Sequence, residues 1–107
     1  MNIAIKTSII DLTPALKEYV DLKLSSLEKL VSRWEVETEI SLWVELDRTT
    51  LHHHKGNVFR AVLSLHLPNT VLRAEEERLD IRKAIDASKI ILKQEIQRYK
   101  EIASDHL

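Results

Sequence analysis

The chain contains no cysteine, which removes disulfide bridges, thiolate metal ligands and a cysteine nucleophile at once. One glycine and two prolines leave no glycine-rich loop to cradle a phosphate. No apolar run approaches the roughly 18–20 residues of a membrane span, and the opening Met1-Asn2-Ile3-Ala4-Ile5-Lys6 lacks the apolar core of a signal peptide. Active-site patterns are missing as well. There is no G-x-S-x-G turn, no paired acid motif of a catalytic kind and no nucleophile beside a recognisable base. Internal repeats, low-complexity tracts and linkers are absent too. These gaps point to a soluble cytoplasmic protein that is not an enzyme, with no cofactor, no small-molecule substrate and no membrane partner.

What remains is an ordinary globular composition. The 107 residues are 44% hydrophobic and 31% charged, enough for one domain (1–107) built on a single core. Sixteen basic residues meet seventeen acidic ones, a net charge of −1, whereas nucleic-acid binders are more often basic. The balance hides an uneven distribution. Glu35, Glu37, Glu39, Glu45 and Asp47 form an acidic stretch without a basic residue, while six basic residues meet four acidic ones from Asp80 to Ala103.

Periodicity gives the elements. Asn2 to Ser8 alternates as a short strand. Thr13-Pro14 is a helix start, since the hydroxyl caps free N–H groups and proline fits the first turn. From Pro14 to about Arg33, Leu16, Val20, Leu24, Leu27 and Val31 recur at helical spacing. Val36 to Leu46 alternates with period two, and so does the run through Phe59, Ala61, Leu63, Leu65 and Leu67, whose other face carries Arg60, Val62, Ser64 and His66. Arg48 to Asn57 reads as a polar loop, Pro68-Asn69 as a turn and Thr70 to Glu77 as a last strand. Asp80 caps a second helix with Ile81, Ala84, Ile85, Leu92, Ile96 and Tyr99 on its apolar stripe. The predicted fold is α+β, β-α-β-β-β-α: a four-stranded mixed sheet with both helices packed on one face, the first two strands parallel and the rest hairpins.

Three local features invite chemistry and yield little. Glu75-Glu76-Glu77 lies on a strand, where successive carboxylates point to opposite faces and cannot converge on one ion. His52-His53-His54 has neither spacing nor companions for a tetrahedral site, so it reads as a polar loop tip and not as a metal site. Trp43, among glutamates, reads as a cross-strand partner of Val62 or Arg60. The helices say more. At about 100° per residue, Lys23, Lys29 and Arg33 share one flank of the first helix with Tyr19, opposite Lys17, Glu18, Asp21 and Glu28. In the second helix Arg82, Lys89, Lys93 and Lys100 form a row of about 27 Å beside the core stripe. Such a row suits a phosphate backbone, because each neutralised phosphate releases counterions; it equally suits a solvated face.

The stretch Met1-Asn2-Ile3, Leu12-Thr13-Pro14-Ala15-Leu16-Lys17-Glu18-Tyr19-Val20, Lys23-Leu24 and Leu27-Glu28-Lys29-Leu30 resembles the ribosome hibernation-promoting factor family. That family includes the ribosome-associated inhibitor A proteins and was formerly known as sigma modulation proteins. Ala61 to Leu67, Leu72-Arg73-Ala74-Glu75, Asp80-Ile81 and Ala84-Ile85-Asp86 extend the likeness over nearly the whole chain. The resemblance implies a β-α-β-β-β-α fold, no catalysis, and binding to the small ribosomal subunit in the channel of messenger and transfer RNA. Partners would be ribosomal RNA and neighbouring ribosomal proteins. The family's basic positions in the first helix fall on Lys17, Lys23 and Lys29. In the second helix two usually basic positions read Ile91 and Gln94, while Arg82, Lys89 and Lys93 are basic where the family varies. Either the cationic row is rotated or the register shifts after Asp86.

The loop from Arg48 to Asn57 looks longer than usual, and the chain resembles a short form without the C-terminal dimerisation domain. The reading is a translation inhibitor contacting ribosomal RNA through Lys17, Lys23, Lys29, Arg33, Arg82, Lys89, Lys93 and Lys100. Two alternatives stand beside it: a protein-interaction module of the same fold using the acidic strand face around Glu37, Glu39 and Trp43 against a basic partner, and a metal-binding protein using the histidine loop.

Overall fold

Alternation in Asn2–Ser8 produces the edge strand β1, in a computed structural model that describes residues 1–36, 38–49 and 58–105. The chain leaves β1 through Ile9, whose φ of 66° is strained for a β-branched residue. The Thr13 hydroxyl accepts from the Leu16 N–H at 3.1 Å and Pro14 opens α1 (Pro14–Leu24), as the sequence predicts.

The predicted first helix is then less regular than its periodicity suggests. A 3-10 turn (Ser25–Leu27), a short α2 (Glu28–Val31) and a second 3-10 turn (Ser32–Trp34) continue it. The serines supply the reason. The hydroxyls of Ser25, Ser26 and Ser32 donate to the carbonyls of Leu22, Lys23 and Lys29, three residues back, at 3.2–3.4 Å. The tighter turn keeps Leu27 and Val31 in line with Leu16, Val20 and Leu24, and all five are buried.

β2 (Ser41–Thr49), β3 (Val58–Leu67) and β4 (Thr70–Arg78) complete a sheet of order β1-β2-β3-β4. β1 pairs parallel with β2, and the other pairs are antiparallel. β2 begins five residues later than the alternation from Val36 predicts. Ser41 lies opposite both Asn2, the first residue of β1, and His66, next to the end of β3, so the ladders run out there, with one last bond from the Asn2 N–H to the Ile40 carbonyl at 2.8 Å. Val36 is accordingly 85% exposed. At the other end Arg48 and Thr49, predicted as loop, pair with Phe59 and Val58. Pro68-Asn69 forms the expected two-residue turn, with Leu67 opposite Thr70.

Asp80 Oδ1 accepts from the Arg82 N–H at 2.8 Å and starts α3 (Ile81–Asp105). One core joins the layers. Leu42, Val44, Leu46, Ala61, Leu63, Leu65 and Ala74 of the sheet meet the first helical segment and Ala84, Ile85, Leu92 and Ile96 of α3. Tyr19 bonds to Asp86 near the start of both helical segments, and Trp34 packs on Tyr99 towards the end of both, so they run parallel across the sheet. Among the described residues no helix is long and apolar enough to cross a membrane.

Candidate functional site

Parallel helices on one sheet face leave a groove between them, and the cations of both segments line it. At one end Tyr19 joins the two. Its hydroxyl donates to Asp86 Oδ1 at 2.7 Å, the Arg82 guanidinium carbon lies 4.8 Å from its ring centroid, and Lys23 Nζ lies 5.6 Å away. At the other end the Trp34 ring sits 5.4 Å from Tyr99, with Arg33 5.5 Å and Lys100 6.0 Å from its centroid. Aromatic faces attract these cations through the ring quadrupole without neutralising them, so their charge stays available to a ligand.

Between the two aromatic ends lies Lys89, half-buried. Its position beside the core stripe suggests an ammonium in open water; the structure instead pushes its pKa down. Burial is the first cause, followed by the positive charges of Lys93 and Lys23, with an opposing pull from Asp86 and a lesser push from Lys29. Lys89 is thus in electrostatic range of its helix neighbour Lys93 and of the first segment's Lys23 and Lys29. Among the described residues none of Lys23, Lys29, Arg33, Arg82, Lys89, Lys93 and Lys100 forms an ion pair, whereas Lys17, Arg60, Arg73 and Arg78 all do.

Lys17, the remaining residue of the predicted set, lies apart. It sits on the other flank of α1, 63% exposed, with Nζ 3.5 Å from Asp21. The structure therefore brings together seven of the eight predicted side chains and separates one. Sequence reasoning passed over Trp34, although it extends the spacing of Leu24, Leu27 and Val31 by one more turn and stands next to Arg33.

Tyr19 has a measurable signature. Burial, then the hydrogen bond to Asp86 and the charge of that carboxylate, push its hydroxyl up to about 12. A raised pKa favours the protonated folded form, so this contribution to stability is complete below pH 10 and lost as pH rises toward about 12. Absorbance titration should show a late tyrosine step that Tyr19→Phe removes and Asp86→Asn moves to lower pH. A late step that survives Tyr19→Phe would refute the assignment.

On the opposite, open face of the sheet, part of the charge is paired. Arg60 donates to both Asp47 oxygens, at 3.2 and 2.7 Å, and approaches Glu75, which also bonds Arg73. Trp43 stacks on His66 at 4.2 Å; its neighbour on β3 is Ser64, so neither Arg60 nor Val62 is the partner the sequence suggests. Val62 is buried although Arg60, Ser64 and His66 share its strand face; Glu45 and Glu75 flank it on the neighbouring strands. Glu39 stands outside the strand, and Glu37 and the His52-His53-His54 loop lie outside the described residues. Glu75 and Glu76 divide between the two faces as strand geometry requires, Glu76 pairing with Arg78. No group of metal-ligating side chains converges among the described residues.

Comparison with known proteins bears on the same region. The sequence model of a family described as Sigma 54 modulation protein / S30EA ribosomal protein matches residues 3–103. A ribosome hibernation promotion factor of Deinococcus radiodurans is 28% identical over 91 residues, covering 85% of this chain, and the chain spans 44% of that relative's length. The N-terminal domain of Thermus thermophilus Protein Y superposes with a TM-score of 0.71 at 29% identity, over 92% of this chain and 99% of that one. A ribosomal subunit interface protein from Coxiella burnetii shares the fold at a TM-score of 0.68 and 22% identity, over 94% and 99% of the two chains.

Proposed function

Because the chain belongs to the Sigma 54 modulation protein / S30EA ribosomal protein family, ribosome hibernation factors and not enzymes, we propose that it is a cytoplasmic translation inhibitor that docks on ribosomal RNA of the small subunit. The carrying observation is the set of seven cations along the parallel helices, none of which forms an ion pair among the described residues. Four of them are held beside aromatic rings, and neighbouring charges repel one another until an anion enters. A phosphate backbone relieves that repulsion and releases counterions together. The row of Arg82, Lys89, Lys93 and Lys100 is long enough to follow several phosphates, and the likeness to the Deinococcus factor and to Protein Y supports a ribosomal target. In this reading the protein occupies the channel of messenger and transfer RNA, contacts neighbouring ribosomal proteins at its margins, and excludes the decoding ligands. The acidic-face alternative is weaker, because Glu39, one of the residues it rests on, lies outside β2 and off the sheet face.

The test is co-sedimentation with purified small subunits across a salt series. If four groove lysines each neutralise a phosphate, affinity should fall roughly 50-fold between about 50 and 200 mM salt. Bound messenger and transfer RNA should compete. Binding that is flat in salt, or indifferent to the competitors, would count against a phosphate-led contact in that channel.

A further inference from the structure

Beyond the cationic row, at the end of the first helical segment, Arg33, Trp34, Val36 and Pro68 line an open cleft. We propose that this cleft receives one unstacked nucleobase of the RNA that the groove holds. The inference deepens the RNA-binding reading and rests on it.

The chemistry of the walls selects this occupant. Trp34 offers an aromatic face braced by Tyr99 at 5.4 Å, so the indole is held in place before anything binds. Val36 and Pro68 add apolar walls without hydrogen-bonding side chains, which suits a flat ring entering by stacking. Arg33 and Lys100, 5.5 and 6.0 Å from the indole centroid, stand where the phosphates flanking a splayed base would pass. The adjacent carboxylate of Glu35 is engaged elsewhere, accepting from the Met1 amino nitrogen at 2.7 Å. An apolar peptide side chain would find the same walls but gain nothing from the two cations. A base within a duplex could not enter, because its faces are covered by its neighbours.

Trp43 lies on the open sheet face, so Trp43→Phe leaves Trp34 as the sole tryptophan and a local reporter. Single-stranded oligoadenylate should quench its fluorescence, while a blunt RNA duplex with the same number of phosphates should bind without quenching. Trp34→Leu should weaken single-strand binding about tenfold and duplex binding several-fold less than that, with Trp34→Phe recovering most of the loss. Thermal melts establish that the variants are folded, and the quenching result stands without them. Equal quenching by both RNAs, or none by either, overturns the proposal, as does unchanged single-strand affinity in a folded Trp34→Leu variant. If small subunits still co-sediment in a salt-dependent way, only the base site has failed. If neither RNA nor subunits bind, the RNA-binding reading falls and takes the cleft with it.

Discussion

Reversing Lys89 and Lys93 to glutamate should abolish co-sedimentation with small ribosomal subunits while leaving thermal melting almost unchanged. The two positions lie one turn apart in α3 and face the same groove as Lys23 and Lys29. The change replaces two phosphate contacts with two repulsions, so affinity should fall about 100-fold or more at low salt. Stability has reason to hold. The lowered Lys89 pKa means that folding disfavours its charged form relative to the unfolded chain, so losing that charge forfeits little. A carboxylate there leaves water as reluctantly as the ammonium does, but it faces Lys23 and Lys29 of opposite sign, which offset the second carboxylate at position 93. The matched control is Asp21→Lys on the other flank of α1, beside Lys17. It breaks only the exposed Lys17–Asp21 pair, worth about 1 kcal/mol at most, and should preserve or strengthen binding through the general field. A doubly reversed variant that melts and sediments like the parent would move the contact surface off α3 and back to Lys23 and Lys29.

Leu92→Ala should give the opposite outcome from a position in the same helix, one residue before Lys93. Leu92 is fully buried in the core shared by sheet and helices. Truncation removes its transfer free energy and leaves a cavity, so stability should drop by about 3 kcal/mol and the melting temperature by roughly 12–20 °C. Below that lowered transition the cations remain in place, and affinity for small subunits should stay within about twofold of the parent. Circular-dichroism melts and co-sedimentation at low temperature separate the two readouts. Loss of binding in the still-folded variant would mean that groove geometry depends on core packing more tightly than surface charge alone explains.

The layers of this fold were legible in sequence because their signals are local. Thr13, Pro14, Asp80 and the Pro68-Asn69 pair act on bonds within a few residues, and each does what its chemistry dictates. The start of β2 was not legible. Val36 and Thr38 alternate as well as Leu42 and Val44 do, and only the ends of β1 and β3, distant in sequence, determine where pairing stops. The same distinction applies to the site. Angular bookkeeping along each helix finds the cations, but their approach across the groove depends on two helices running parallel. The half-burial of Lys89, the double cation contact at Tyr19 and the seat of Trp34 on Tyr99 are products of that tertiary arrangement.

The segregation of charge has a consequence for how the protein travels to a target. The two helical segments carry ten basic and seven acidic residues, and the rest of the chain six basic and ten acidic. The net charge of −1 thus divides into about +3 on the helix layer and −4 elsewhere, a dipole whose positive pole is the helix layer. A distant polyanion therefore exerts little net pull on it, but a torque that swings the helices forward and the acidic remainder away. That torque fades beyond a Debye length of about 8 Å at physiological salt, so orientation is decided in the last approach to a surface. A strongly basic protein would adhere to any nucleic acid in any pose; this one presents a single adhesive side and withdraws the others.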